Sequence, residues 1–330
     1  MKTIVTGCAG FIGAATVRTL LKDDKDTTVI GIDNLNDYYD VNLKLARLNP
    51  LKQLTSFRFH QLDIKNNVEL LNIFAKYKPH AVIHLAAQAG VRYSLQNPTV
   101  YVDSNLVGFC NVLEACRQSN IQHLVFASSS SVYGNNTKLP FSERDVVDCP
   151  LSLYAASKRA NELLAYSYSH LYGLPITGLR YFTAYGPWGR PDMAPFKFMQ
   201  KILMGKPIQV YNQGHHQRDF TYIDDIAEGT VQILKTFPKK SLSQGSPSTP
   251  YRIYNIGYGK PIKLLQFIEL LEECLGKKAI KEMLPKQKGD MDITWADTSD
   301  LEKKVGYRPK ICMEEGVIRL VEWYKNYVNG

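Results

Sequence analysis

The chain has 330 residues, 45% of them hydrophobic and 22% charged, which suits one large α/β unit or two closely joined domains with a sizeable core. No apolar run approaches the ~18 residues that a membrane span needs, and the net charge of +9 comes without a Lys/Arg block, so it reads as a generally basic surface or as attraction to an anionic partner. The six cysteines (Cys8, Cys110, Cys116, Cys149, Cys274 and Cys312) form no Cys-x-x-Cys pair, which argues against zinc and disulfide frameworks and for small core residues in a reducing compartment.

The opening run Met1-Lys-Thr-Ile-Val5 predicts a strand over 3–6, leaving no room for a signal peptide, hence a cytoplasmic protein. Gly7-Cys-Ala-Gly10-Phe-Ile-Gly13 follows and opens a helix over 11–21. Such a loop turns tightly, approaches a pyrophosphate and presents it to the positive end of the helix. The next strand, 28–33, ends at Asp33, 20 residues beyond Gly13. A carboxylate there accepts hydrogen bonds from adenosine ribose hydroxyls and repels a 2′-phosphate. Asn34 and Leu35 offer such a phosphate no cation, so NAD is expected over NADP.

A third strand, 56–63, ends at Asp63, placed to meet the adenine amino group or to cap its own loop. After a helix over 68–77, strand 81–86 runs into Ala86-Ala-Gln88, where small residues let a cofactor lie against the backbone. A helix over 100–118 leads to a strand over 123–128 that ends in the run Ser128–Ser131. The helix over 153–172 carries Tyr154 and Lys158, and a strand over 176–182 follows. Strands and helices in alternation, with apolar runs such as Val-Ile-His-Leu, predict a Rossmann-type doubly wound parallel sheet, covered on both faces.

Beyond about Gly186 the rhythm loosens into a smaller mixed α/β lobe, with strands at 208–211 and 251–256 and helices at 262–275 and 314–329. The Ser- and Lys-dense stretch 239–250 reads as an exposed insertion. Tyr154 and Lys158, four apart, share a helix face; a Lys beside a phenol favours phenolate and makes the tyrosine a base near neutral pH. The same spacing also suits a plain surface pair.

Thr6-Gly-x-x-Gly-x-x-Gly13, His84-Leu-Ala-Ala87, Ser128-Ser-Ser-Ser-Val-Tyr-Gly134, Tyr154-x-x-x-Lys158 and Arg218-Asp-Phe-Thr-Tyr-Ile-Asp-Asp225 occur in this order. Over essentially the full chain this resembles the extended short-chain dehydrogenase/reductase family, in its nucleotide-sugar epimerase branch. Asp33-Asn-Leu-Asn-Asp-Tyr-Tyr-Asp40, Gln88-Ala-Gly-Val-Arg-Tyr-Ser94 and Thr183-Ala-Tyr-Gly-Pro-Trp-Gly-Arg-Pro-Asp-Met193 are most similar to the UDP-glucuronate 4-epimerases. The departure is Lys288, in Gln287-Lys-Gly-Asp290, where that family usually has proline.

The resemblance implies an NAD domain over 1–185 that contains the catalytic Ser, Tyr and Lys. Residues 186–330 then form mainly the UDP-sugar lobe, with some segments returning to the first domain. NAD would contact Gly7, Gly10, Phe11, Ile12, Gly13, Asp33, Asp63, Ile64, Ala86, Ala87, Gln88, Lys158 and Tyr181. Tyr154 is the implied base and Ser129 the implied proton relay at the sugar 4-hydroxyl, with Ser131 the other candidate. Related dehydratases carry Asp-Glu at the positions of Ser130 and Ser131, so serines favour epimerisation.

A uronate substrate passes through a β-keto acid whose carboxylate must be held out of alignment with the ketone. Ser130, Ser131, Thr183, Arg190 and Arg92 are candidates for that grip, and either Arg equally suits diphosphate or a surface ion pair. Arg218 is implied at the diphosphate and Asp290 at the uridine ribose, while Tyr211 suits uracil stacking or the core. His84 reads as a core histidine, and the chemistry asks for no metal. The competing readings are a 4-epimerase of UDP-glucose/galactose or of an N-acetyl sugar, and a non-catalytic NAD- or RNA-binding relative; neither nucleic acid nor membrane is expected as a partner. A homodimer over helices 100–118 and 153–172 is expected, motivated by Leu106, Phe109, Val112 and Leu113, although packing against the sheet explains some of these.

Overall fold

Strand and helix alternate from the start: β1 (Lys2–Thr6), α1 (Phe11–Asp23), β2 (Thr28–Asp33), α2 (Val41–Lys52), β3 (Phe57–Gln61), α3 (Asn67–Tyr77) and β4 (Ala81–His84). Two short helical turns, α4 (Tyr93–Gln96) and α5 (Pro98–Tyr101), lead through a π-helical turn (Val102–Val107) into α6 (Gly108–Gln118); then come β5 (His123–Ser129), α7 (Leu153–Tyr172) and β6 (Ile176–Tyr181). The remaining elements are β7 (Thr183–Tyr185), α8 (Ala194–Leu203), β8 (Ile208–Tyr211), β9 (Gln217–Tyr222), α9 (Ile223–Lys235) and β10 (Tyr251–Ile256). They close with β11 (Pro261–Lys263), α10 (Leu264–Leu275), β12 (Lys281–Leu284), α11 (Ser299–Val305) and α12 (Met313–Asn329). The computed structural model describes residues 1–24, 26–238, 249–287 and 289–329, so the insertion expected at 239–250 lies, up to residue 248, outside the described residues, as does Lys288.

Seven parallel strands form the main sheet in the order β10-β6-β5-β4-β1-β2-β3. Chain direction around the sheet reverses at β1, which pairs β2 on one side and β4 on the other. A crevice opens beyond the carboxyl ends of strands at such a switch point. One face packs α3, α6 and α7 through Leu70, Phe74, Phe109, Val112 and Ala165. The other packs α1 and α9 through Val17, Leu20, Ile226 and Val231, in a cluster that runs on into the C-terminal lobe through Tyr185, Phe220 and Phe267. Two small sheets, β11-β9-β7 and β12-β8, build that lobe.

Several expectations change here. Phe109, Val112 and Leu113 are fully buried against the sheet, and Leu106 is half-buried, so they present no free apolar face for a second copy. The helix expected over 100–118 is interrupted by the π turn. Strand β10, from the second half of the chain, pairs with β6 at the edge of the main sheet. Helix α2 was not foreseen: its buried face includes Lys44 and Arg47, and Pro50 lies inside it, so it lacks an apolar period. Of the cysteines only Cys8 and Cys116 are buried, and Cys149 is exposed. Among the described residues no helix is long and apolar enough to cross a membrane.

Local chemistry sets α7 in place. The Ser152 hydroxyl accepts from Ala155 N at 3.1 Å, and Gly173 ends the helix at φ 66°. This cap puts Tyr154 in the first turn, at the rim of the crevice.

Candidate active site

A cleft of about 430 Å³ lies at the switch point, and every residue expected at the cofactor lines it. Gly7 has φ 74°, and a Cβ there would stand 2.6 Å from Ala86 N; a Cβ on Gly13 would run into the Gly7 carbonyl. The glycines therefore allow the loop to close on strand β4 and on itself. No side chain caps α1 and no acid occupies its first turn, so its N–H groups and positive end are left for an anion. This cradle fits a dinucleotide diphosphate.

Asp33 accepts from Ala9 N at 3.0 Å and from Leu35 N at 2.9 Å. Burial pushes its carboxyl up and these N–H bonds pull it back. Asp63 accepts from Asn34 Nδ2 and Lys65 N, so it caps its loop and also lines the cleft. Lys44, absent from the sequence reading, reaches the same wall from α2 and donates to Asn36 O (2.5 Å) and Oδ1 (2.8 Å). Asn34 and Leu35 carry no cation, but Lys44 brings one to this wall, so the carboxylate of Asp33 is what opposes a 2′-phosphate. The π turn exposes a further contributor: Asn105 accepts from Gln88 N at 2.8 Å, and donates to Gln88 O at 3.0 Å and Ser157 Oγ at 2.9 Å. It pins the end of β4 to α7.

Tyr154, Lys158, Ser129, Ser130, Ser131, Thr183 and Arg190 line the same cleft. Ser129 Oγ accepts from Ser131 N at 3.1 Å, and Ser128 is drawn away by donating to Glu162 at 2.7 Å. Lys158 Nζ donates to Ala127 O at 2.9 Å, and burial pushes its pKa down to about 8. A phenol softened by Lys158 was expected. Instead burial raises the Tyr154 pKa, and the groups that counter it are a hydrogen bond from Ser129 and the charge of Arg190. His84 shares a 2.8 Å hydrogen bond with Thr6, and burial, then Lys158, push its pKa down to about 3.

Arg190 forks onto Asp192 through Nε (2.9 Å) and Nη2 (2.6 Å), and the Tyr38 hydroxyl donates to the same carboxylate at 3.1 Å. Burial opposes the Arg190 charge, but the Asp192 pairing more than restores it. Burial and then Asp192 push Tyr38 up to about 12, so it remains a donor. Gly90, at φ 117°, leaves room for both: a Cβ would stand 3.0 Å from the Tyr38 hydroxyl and 3.7 Å from Arg190 Nη2. Tyr38 and Asp192 lie within the two runs that carried the resemblance, but neither was singled out as a site residue.

Arg92, Tyr211, Arg218 and Asp290 do not line this cleft. They gather beside its mouth, past Val91, where Arg92 lies 3.6 Å from Asp290 and 4.6 Å over the Tyr211 ring. Tyr211 is half-buried rather than a core residue. Arg218 donates to Gln217 O and Asp292 O; burial lowers its pKa and Asp290 with Asp292 oppose that. Among the described residues no three His, Cys, Asp or Glu side chains gather as metal ligands.

Residues 3–257 match the model of the NAD dependent epimerase/dehydratase family. The chain is 50% identical over 326 residues to the UDP-glucuronate 4-epimerase of Thermodesulfobacterium geofontis, covering 98% of this chain and 96% of that protein. The structure is similar to a Bacillus cereus UDP-glucuronic acid 4-epimerase solved with UDP-glucuronic acid and NAD (TM-score 0.90, 34% identity, 99% and 100% of the two chains). It is also similar to a Thermotoga maritima UDP-glucose 4-epimerase solved with UDP-glucose, at TM-score 0.85 and 28% identity over 99% and 100% of the chains.

Proposed function

The chain belongs to the NAD dependent epimerase/dehydratase family, and we propose that within it the protein interconverts UDP-glucuronate and UDP-galacturonate by inverting C4. One observation carries the reading: Tyr154, the acid-free serine run, Thr183 and Arg190 face the glycine cradle across a single cleft, in a chain half identical to a UDP-glucuronate 4-epimerase. When bound, NAD supplies a hydride acceptor and then donor at C4, so oxidation to a 4-ketone and reduction from the opposite face leave no net redox change.

Tyr154 takes the 4-hydroxyl proton, with Ser129 and Arg190 both favouring its phenolate. Ser129 hydrogen-bonds the reacting hydroxyl and relays the proton, and Lys158 holds the nicotinamide ribose. The 4-ketone has the C5 carboxylate in the β position. If the C5–carboxylate bond aligned with the ketone, CO₂ would leave, its bonding pair would become an enolate, and a proton added at C5 would give a 4-keto pentose. Asp192 occupies the side edge of the Arg190 guanidinium, which leaves the end-on pair of N–H donors for a second carboxylate. That pair, with the hydroxyls of Ser130, Ser131 and Thr183, holds the uronate out of alignment. Arg92 is paired outside the cleft, so it joins Arg218 at the diphosphate, with Asp290 at the uridine ribose and Tyr211 beside uracil.

Incubation with UDP-glucuronate, UDP-glucose and UDP-N-acetylglucosamine separately, followed by NMR, tests the reading. UDP-galacturonate is the expected product; conversion of the neutral sugars only would overturn it, and UDP-pentose would make the protein a decarboxylase. The proposal extends to a cytoplasmic homodimer in which a second copy covers the exposed apolar side chains Val107, Leu163 and Tyr166. Sedimentation that shows only monomer at micromolar concentration would remove the dimer.

A further inference from the structure

Arg47, on α2, is 1% exposed, yet all four of its hydrogen bonds go to neutral oxygens. A buried guanidinium without a charged acceptor is costly unless its donors are satisfied geometrically. Here they are, by two regions far apart in sequence. Nη1 donates to Ala9 O, inside the glycine loop, at 3.1 Å and to the Tyr39 hydroxyl at 2.6 Å. Nε donates to Trp188 O at 3.0 Å and Nη2 to Gly189 O at 3.2 Å. Those two carbonyls immediately precede Arg190.

The loop that Arg47 grips is not at rest. Trp188 has φ 65°, a conformation that bulky side chains rarely adopt, and Gly186 has φ 139°. The Trp188 ring is held by Trp323 and Tyr327 of α12, with centroids at 5.2 and 5.8 Å. Its backbone side is held by Arg47, and inward-facing carbonyls need donors. On the opposite side, Ala9 is fixed at both of its backbone groups, its N–H on Asp33 and its carbonyl on Arg47. The chain of contacts Asp33–Ala9–Arg47–Gly189 thus joins the ribose end of the cradle to the residue next to Arg190.

We propose that Arg47 is a positioning residue that couples the glycine cradle to the loop bearing Arg190, so that the seating of the dinucleotide fixes where the guanidinium meets the sugar. The statement about the sugar rests on the epimerase reading above; the statement about the two loops does not. Only Arg suits the position, because a lysine carries the charge without a planar fork that spans three carbonyls.

The test is hydrogen–deuterium exchange on residues 186–193 in wild type, Arg47→Met and Arg47→Lys, each with NAD bound and after its removal, alongside product analysis on UDP-glucuronate. In wild type, removing NAD is expected to raise exchange in this loop by at least about threefold. In Arg47→Met the loop is expected to exchange fast with or without NAD, and Lys not to restore protection. The share of turnovers that end in UDP-pentose is expected to rise roughly tenfold in both variants, since Arg190 then drifts from the carboxylate. Tyr39→Phe, which removes one acceptor only, is expected to move both readouts the same way by less, and serves if Arg47→Met does not fold. A loop whose exchange ignores both NAD and the Arg47 substitutions overturns the coupling, as does an unchanged product ratio with exchange raised throughout the protein. If wild type leaves UDP-glucuronate untouched, the epimerase reading falls, and the exchange measurements still decide the role of Arg47.

Discussion

At the cofactor end of the cleft the holding is done by backbone, and at the sugar end by charged side chains. Gly7, Gly10 and Gly13 act through what they lack, and Asp33 is steadied by two N–H groups within 24 residues of it. Arg190 instead depends on Asp192 and, 154 residues from that acid, on Tyr38. A backbone cradle tolerates no added atoms, whereas a charged grip can be weakened in steps. On the proposed function, the first would govern dinucleotide binding and the second the fate of the sugar carboxylate.

Four experiments press on this contrast. The largest effect is expected at Tyr154, where the two ends meet: Tyr154→Phe should lower kcat about 10³-fold while the purified protein still carries NAD. More than a tenth of wild-type turnover would remove it as the base. Next, Gly13→Ala forces a methyl into the Gly7 carbonyl. NAD content by absorbance after denaturation should fall to a small fraction, with a stability loss of roughly 2–3 kcal/mol in urea; normal occupancy would mean the cradle is looser than its geometry.

Asp192→Asn keeps the shape but removes the counter-charge of Arg190. It should raise KM for UDP-glucuronate about tenfold and release some UDP-pentose with kcat little changed. A fall in kcat alone would place Asp192 in proton transfer instead. The smallest effect is a pH dependence. Burial lowers the Lys158 pKa from 10.5 to about 8. Between those values the unfolded chain binds a proton that the folded protein does not, so this group adds stability as pH rises, by up to about 3 kcal/mol. Lys158→Met should flatten the rise seen in urea unfolding between pH 7.5 and 9.5, and an unaltered slope would mean that Lys158 is not desolvated.

The two ends also differ in how readily their sequence betrays them. Gly7–Gly13 and Asp33 are visible because a tight turn and a strand end restrict residue type locally, and Tyr154 with Lys158 follows from helix spacing. Tyr38 and Asp192 sit in runs that carried the resemblance, yet their pairing across 154 residues left no local trace, and Lys44, whose acceptor Asn36 is eight residues away, belongs to no spacing pattern. Helix α2 was overlooked because the face it buries carries Lys44 and Arg47 beside its leucines and Pro50 lies inside it, which hides the apolar period. Phe109, Val112 and Leu113 show the converse ambiguity, since an apolar helix stripe says that something covers it and not whether the cover is a sheet or a second copy; here it is the sheet.

The position of β10 bears on how the protein is born. Its partner β6 is complete at Tyr181, but β10 begins only at Tyr251. At roughly 5–20 residues per second, the ~70 residues between them take about 4–14 s to synthesise. Until β10 is made, β6 has no neighbour on its outer side, and an unpaired strand edge is the kind of template that recruits other strands.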